Sequence, residues 1–337
     1  MIGGSMMAAV LEEQSGRLKI KQLPVPAPGP GQVLVKMDFA PVNPSDLAVI
    51  DGRTRLKDLP LVPGMEGSGT VVAAGRGFLP YLRKGRRVAC TPEPWKNGSW
   101  AGYMLTGAGR VFPLEKATDQ EQGSMLVVNP MTALSLLDIA RSRGHRAMIN
   151  NAAASNLGKM LVKLASREGW PLINVVRSEG SAEELKDIGA EYVLNSSDQG
   201  FPEELAALSR KLGATLILDA VCGNDSLPLL QAAPEGSTLL SYARLAGTAM
   251  SIDPADLINR GKHIEGFQLG RYLASKNLFY KLKVIRKAGK LLDSDLSSGI
   301  RKIVPLTQVQ EAVDEYRDRM SGGKILIKLQ TDEKVQD

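Results

Sequence analysis

Cysteine and histidine are almost missing from this chain: Cys90, Cys222, His145 and His263 are all it has of either in 337 residues. Two thiols build neither a disulfide framework nor a four-thiolate zinc site, so a reducing cytosol is the default compartment. Two imidazoles exclude most histidine-based metal centres and leave little room for a Ser-His-Asp triad. His145 lies in Arg141-Ser142-Arg143-Gly144-His145-Arg146 and reads as a solvated helix end. Aromatic residues make up only 5% of the chain, and no stacking series sits among its scattered cations. The net charge of +6 therefore points to a phosphate-bearing substrate or cofactor rather than to nucleic acid. No apolar run approaches the ~18 residues of a membrane span, so no membrane partner is expected. Met1–Ser5 lacks the charged and apolar stretches of a signal peptide and reads as an added leader, with the natural start at Met6 or Met7.

What is present is an ordinary globular composition, 43% hydrophobic and 23% charged, in a length that suits roughly two domains of ~150 residues. Residues 8–40 read as short strands. Ala8–Glu12 and Leu18–Gln22 flank the turn Gln14-Ser15-Gly16, and the proline-rich run 24–31 is neither helix nor central strand. The glycines of Pro63-Gly64-Met65-Glu66-Gly67-Ser68-Gly69 and its continuation to Gly75 suit curved strands with bulges and close backbone approach. The first third is thus β-rich and barrel-like. From about Gly123 helices and strands alternate, with strands expected at 147–149, 171–176, 191–194, 215–221, 237–242 and 263–269. That alternation predicts a doubly wound α/β domain over 123–270, with 1–122 and 271–337 forming the other domain. The helix over Ser124–Ala140 is expected to be interrupted at Asn129-Pro130.

The middle of the chain holds the strongest local signal. Ala147-Met148-Ile149 reads as a buried strand, Asn150–Gly158 as a turn of small residues, Lys159–Glu168 as an amphipathic helix and Pro171–Val176 as the next strand. Ser155 or Asn156 can cap the helix. Such a unit presents first-turn amides to a phosphate. Only Gly158 survives of the usual glycine fingerprint, so a purely structural βαβ unit is the competing reading. Where an acidic residue would bond a ribose 2′-hydroxyl, the second strand ends in Arg177-Ser178. A cation and a hydroxyl suit a 2′-phosphate, which favours NADPH over NADH.

Several short runs carry a family resemblance: Val42-Asn43-Pro44-Ser45-Asp46, Pro63–Gly67, Asn129-Pro130-Met131-Thr132-Ala133, Lys186–Glu191 and Gly322-Gly323-Lys324-Ile325. In this order they resemble the medium-chain dehydrogenase/reductase superfamily over nearly the whole chain. The zinc-free branches are the most similar, namely NADPH quinone oxidoreductases and mitochondrial-type trans-2-enoyl-thioester reductases. The resemblance implies a GroES-like β-rich catalytic domain plus a doubly wound Rossmann domain, with homodimers formed through the edge segment His263–Leu269. Met65 stands where zinc-dependent members have a histidine, and the Asn43–Asp46 segment offers no thiol, so no metal is expected.

For the site, the resemblance implies pyrophosphate contacts from the amides of Ser155, Asn156 and Leu157, with Gly158 in the same cofactor-binding turn, and 2′-phosphate contacts from Arg177 and Ser178. Cys222, Gly223, Tyr242 and Phe267 border the cofactor, Thr132 lies below the nicotinamide ring, and Asn43 is a polar group beside it. The enoyl reductases use a tyrosine shortly after the Asn-Pro-Ser-Asp segment; this chain has Arg53-Thr54-Arg55 instead. Thr54 lacks a phenol's acidity, though its hydroxyl can bond a carbonyl. Arg53 and Arg55 either steady an acidic substrate or belong to a solvated loop. The expected activity is a cytoplasmic, zinc-free, NADPH-dependent reduction of a quinone or an α,β-unsaturated carbonyl, a mature mitochondrial form being compatible. The alternatives are a trans-2-enoyl-thioester (enoyl-CoA or ACP) reductase, and a nucleotide-binding sensor or RNA-associated protein with weak catalysis.

Overall fold

The computed structural model describes residues 3–53 and 58–330, arranged as two compact units. One comprises residues 1–128 and 285–337, the other residues 129–284.

The first unit is built on a seven-stranded sheet and a two-stranded hairpin. Ser5–Val10 pairs antiparallel with Lys19–Pro24, the two arms of the expected hairpin. The strand Gln32–Pro41 is the hub of the larger sheet, pairing with Gly67–Ala74, Tyr103–Gly107 and Lys324–Lys328. Val33, Val35 and Met37 share one buried face; on the other face Leu34 is buried too and Lys36 is exposed, so this central strand is covered on both sides over part of its length. Its pairing with Gly67–Ala74 shifts register twice. A Cβ on Gly69 would stand 2.1 Å from the Lys36 carbonyl oxygen, so the strands meet this closely only because the position is glycine. Ile300–Pro305 runs parallel to Lys324–Lys328, and so brings the C-terminal return into this sheet.

The second unit is a six-stranded, all-parallel sheet in the order Tyr192–Asn195, Leu172–Val176, Ala147–Asn150, Ala214–Asp219, Thr238–Ser241, His263–Gly266. Its central strands are buried along their whole length, as a sheet covered on both faces requires. The strand order reverses between Ala147–Asn150 and Ala214–Asp219, the topological switch point at which ligands bind in such sheets. The helix Asn156–Glu168 follows the first of these strands and ends on Gly169 in the left-handed region.

Two expectations change. The helix around Pro130 is continuous from Val128 to Ser142, because Pro130 falls in its first turn, where no intrahelical donor is lost. His145 is not simply solvated; its Nδ1 lies 2.8 Å from Thr215 Oγ1.

Candidate functional site

The turn after Ala147–Asn150 is organised by Ser155. Its hydroxyl accepts from the Gly158 amide at 3.0 Å, and its own amide donates to the Ala152 carbonyl at 2.9 Å. Asn156 and Leu157 remain as the first-turn amides with no protein acceptor among the described residues. Two such donors at the start of a 13-residue helix attract an anion through both hydrogen bonding and the helix dipole. Gly158 is the one position where a side chain cannot fit: a Cβ would stand 2.3 Å from the Ala153 carbonyl oxygen. The glycine kept in the sequence is the one that lets helix and turn pack. Ala152 takes φ 48°, a conformation glycine usually supplies.

At the end of the neighbouring strand Arg177 is exposed, and its carbonyl accepts from Ser197 Oγ at 3.1 Å. Ser178 caps the helix Glu179–Asp187, so its hydroxyl already accepts from the Ser181 amide. Arg177 thus immediately precedes the cap of a second helix, and a cation and a helix start are each suited to an anion.

Across the switch point the buried Asp219 fixes the loop that follows its strand. Its Oδ1 accepts from Asn151 Nδ2 at 2.5 Å, from the Val221 amide at 3.0 Å and from the Cys222 amide at 2.8 Å; its Oδ2 accepts from Ser226 Oγ at 2.5 Å. Asn151 in turn accepts from the Ala220 amide at 2.7 Å. Bonds to a charged group contribute roughly 1.5–3 kcal/mol each, and this set fixes the backbone at Cys222 and Gly223. The Cys222 thiol is buried against Ser241 Oγ and the Ala243 carbonyl, each 3.1 Å away, and burial pushes it up, away from the reactive thiolate.

Tyr242 follows the next strand. Its hydroxyl is buried without a hydrogen-bond partner, a donor awaiting an acceptor. Phe267, at the end of the last strand, packs its ring 5.5 Å from that of Tyr272. Tyr272 donates to Asp138 Oδ2 at 2.9 Å. Thr132 is buried in the helix Val128–Ser142. Exposed Arg177 and the free amides of Asn156 and Leu157 are donors of the kind that suits a phosphorylated dinucleotide, while the Tyr242 hydroxyl is enclosed without a partner.

The first unit holds a buried ionic constellation. Asn43, Asp46, Glu66 and Lys324 are each 0–1% exposed. Asn43 Nδ2 donates to Glu66 Oε1 at 3.1 Å, and Lys324 Nζ donates to Asn43 Oδ1 and, at 3.4 Å, to the Val42 carbonyl. Asp46 accepts from the amides of Asn43 (2.8 Å) and Met65 (2.9 Å). Glu66 Oε2 accepts from the amides of Val127 (2.9 Å) and Val128 (2.8 Å). Burial pushes the Asp46 carboxyl up to about 7, against the pull of these amides and of Lys324. Glu66 is raised for the same reason. Both ends of the Asn43 amide are engaged inside this network.

Arg53 donates to Asp51 at 2.6 Å, and Asp51 also pairs with Arg317 at 2.8 Å. Thr54 and Arg55 lie outside the described residues. Sequence reasoning passed over Asp219, Asn151, Lys324 and the role of Glu66. Glu66 and Lys324 were visible only as letters in Pro63–Gly67 and Gly322–Ile325. Among the described residues no group of three or more His, Cys, Asp or Glu side chains is placed to hold a metal ion.

Comparison with known proteins matches residues 29–116 to the alcohol dehydrogenase GroES-like domain and residues 157–284 to the family described as zinc-binding dehydrogenase. The mitochondrial enoyl-[acyl-carrier-protein] reductase of Bos taurus is 30% identical over 261 residues, covering 76% of this chain and 69% of that protein. A crystal structure of a Mesorhizobium loti protein assigned as an NADPH:quinone reductase superposes with a TM-score of 0.88 and 31% identity, over 97% of this chain and 99% of that one. The quinone oxidoreductase of Thermus thermophilus shares the fold at a TM-score of 0.77 and 24% identity, over 96% of this chain and 100% of that one.

Proposed function

We propose a reaction for this chain from one premise: it belongs to the medium-chain dehydrogenase/reductase superfamily and is an oxidoreductase of the quinone and enoyl reductase kind. The reaction is reduction of a quinone or an α,β-unsaturated carbonyl compound. Bound NADPH supplies the hydride. Exposed Arg177 carries the choice of cofactor, since it stands where an acidic residue would reject a 2′-phosphate. Asn156 and Leu157 donate to the pyrophosphate, Ser155 and Gly158 hold the turn, and Ser178 starts the helix beside the 2′-phosphate. Cys222, Gly223, Tyr242 and Phe267 border the cofactor, with Thr132 toward its nicotinamide end; Asn43, expected as a polar group there, is instead fully buried with both ends of its amide bonded to Glu66 and Lys324. The Mesorhizobium relative, described by the same cofactor and substrate class, supports this reading.

Reduction also requires a proton. Thr54 polarises a carbonyl but is too weak an acid to protonate carbon, so solvent completes the reaction, which suits quinone oxygens best. The second reading, a trans-2-enoyl-thioester reductase, is favoured by the Bos taurus relative. A spectrophotometric panel of quinones, enones and crotonyl thioesters separates the two. We place the enzyme in the cytosol, on its two free, buried cysteines, and as a homodimer that works without zinc. Activity should survive a chelator undiminished.

The cofactor assignment is tested by melting curves. NADPH should raise the Tm more than NADH does at equal concentration. Arg177→Ala should weaken NADPH by roughly ten- to a hundredfold, the loss of one charge-assisted pair, while NADH is almost unaffected. Equal losses for the two nucleotides would remove Arg177 from the 2′-phosphate site.

A further inference from the structure

The helix Phe78–Arg83 joins the strands Gly67–Ala74 and Arg87–Cys90 and presents its apolar side to solvent. At 100° per residue, Phe78, Leu79, Tyr81 and Leu82 span an arc of about 160°, with Pro80 on the opposite side. The structure agrees: Pro80 is buried, while Phe78 is 79%, Tyr81 75% and Leu82 47% exposed. This is the reverse of a helix that packs its apolar face inward.

The surrounding charge has one sign. No Asp or Glu occurs between Gly67 and Pro92, while Arg76, Arg83, Lys84, Arg86 and Arg87 fall within that span. Arg76, Lys84 and Arg86 are exposed, and among the described residues none of them forms a salt bridge. Arg87 points inward, donating to the carbonyls of Lys116 and Thr118. The elements packed against the helix are the strands Gln32–Pro41 and Gly67–Ala74 and the turn Ala108–Arg110. They add Lys36 and Arg110, and Asp38 is their only acid.

We propose that this face is a peripheral docking surface for an anionic lipid bilayer. Its chemistry is that of an interfacial anchor, with Phe, Tyr and Leu to enter the headgroup boundary and Arg and Lys to meet lipid phosphates. Its size argues the same way. A helix of six residues is about 9 Å long, far short of the 20–30 residues a side that a stable protein interface uses, whereas a few inserted side chains and cations suffice at a bilayer. No helix of the described residues is long and apolar enough to cross a membrane, so the contact is a surface one. The cytoplasmic leaflet carries the required negative charge.

The test is co-sedimentation of the full chain with vesicles of phosphatidylcholine and phosphatidylserine in equal parts, and with phosphatidylcholine alone. The protein should partition to the anionic vesicles about tenfold or more above the neutral ones, with the difference shrinking as salt rises. Lys84→Gln with Arg86→Gln should remove the anionic preference. Phe78→Ser with Tyr81→Ser should reduce partition to both vesicles, the melting temperature checking that this variant stays folded. Phe78→Trp keeps the face apolar and gives an independent reading, a blue-shifted emission when anionic vesicles are added. Failure of the wild-type chain to bind anionic vesicles, or an unshifted Phe78→Trp emission, overturns the proposal. So does preferential binding of a purified acidic carrier protein through the same residues. None of these readings depends on the catalytic assignment.

Discussion

Cys222 sits at φ 61° and ψ −153°, a backbone region that glycine enters freely and other residues enter at a cost of roughly 1–3 kcal/mol. The bonds from its own amide and from Val221 to Asp219 hold it there. Cys222→Gly should therefore stabilise the protein by about 1 kcal/mol, the relieved strain exceeding the lost sulfur contacts and the added freedom of the unfolded chain. A denaturant midpoint that falls would show that the thiol's packing matters more than the strain. Asp46 gives a pH-dependent case. Its folded value of about 7 is above that of an unfolded aspartate, so the folded chain binds the proton more tightly. The resulting stabilisation is complete below about pH 4 and is lost as pH rises through about 7. Stability should decline across that window, and Asp46→Asn should flatten the decline without abolishing it, because Glu66 is raised in the same direction. Melting curves at several pH values decide; a profile as steep in the variant as in the wild type would assign the effect elsewhere. Ser155 was legible as a cap because the signal is local: a short oxygen-bearing side chain before an apolar period. Lys324 was not, because its partner Asn43 lies 281 residues away along the chain, and the Asn151 bond that completes the Asp219 set comes from 68 residues away.

At the scale of elements, Glu66 does what a local cap does elsewhere. Its Oε2 accepts the Val127 and Val128 amides at the start of the helix Val128–Ser142, while its Oε1 accepts from Asn43 and so reaches Lys324. Glu66→Ala would leave one buried amide, one half-buried amide and a buried lysine short of their anion, and should cost about 3–5 kcal/mol in denaturant unfolding. Glu66→Gln should cost less, since an amide oxygen in the Oε2 position can still accept from both N–H groups, the loss being confined to the Oε1 side, where the new NH2 meets the Asn43 Nδ2 donor. Equal costs would mean that the charge, not the acceptor, is what the helix start requires. The elements themselves were largely readable. The expected strand at 215–221 is observed over Ala214–Asp219, and the expected helix at Lys159–Glu168 over Asn156–Glu168. Missed were the short pieces, Phe78–Arg83 and Leu269–Ala274, which have too few residues for a period to show, and Ile300–Pro305, whose charged residues hide a strand with one exposed face.

For the molecule as a whole, the informative strand is the last of the parallel sheet. Among the described residues His263–Gly266 has a partner on one side only, Thr238–Ser241, and so exposes a row of backbone donors and acceptors on the other. The His263 amide donates to Ser237 O at 2.8 Å and the Phe267 amide to Ser241 O at 2.8 Å. Alternation along a strand then directs the amides of Ile264 and Gly266 to the free edge. A second copy pairing there would extend the sheet across a two-fold axis, with the same residues contributed by each subunit. Proline at position 264 removes one outward donor and leaves the inward ladder intact, because proline in an edge strand is tolerated where its missing N–H faces out. Ile264→Pro should therefore fold, keep its NADPH-induced rise in Tm, and sediment as a monomer where the wild-type chain sediments as a dimer. A wild-type monomer would remove the dimer altogether, and a proline variant that still dimerises would move the interface away from this edge.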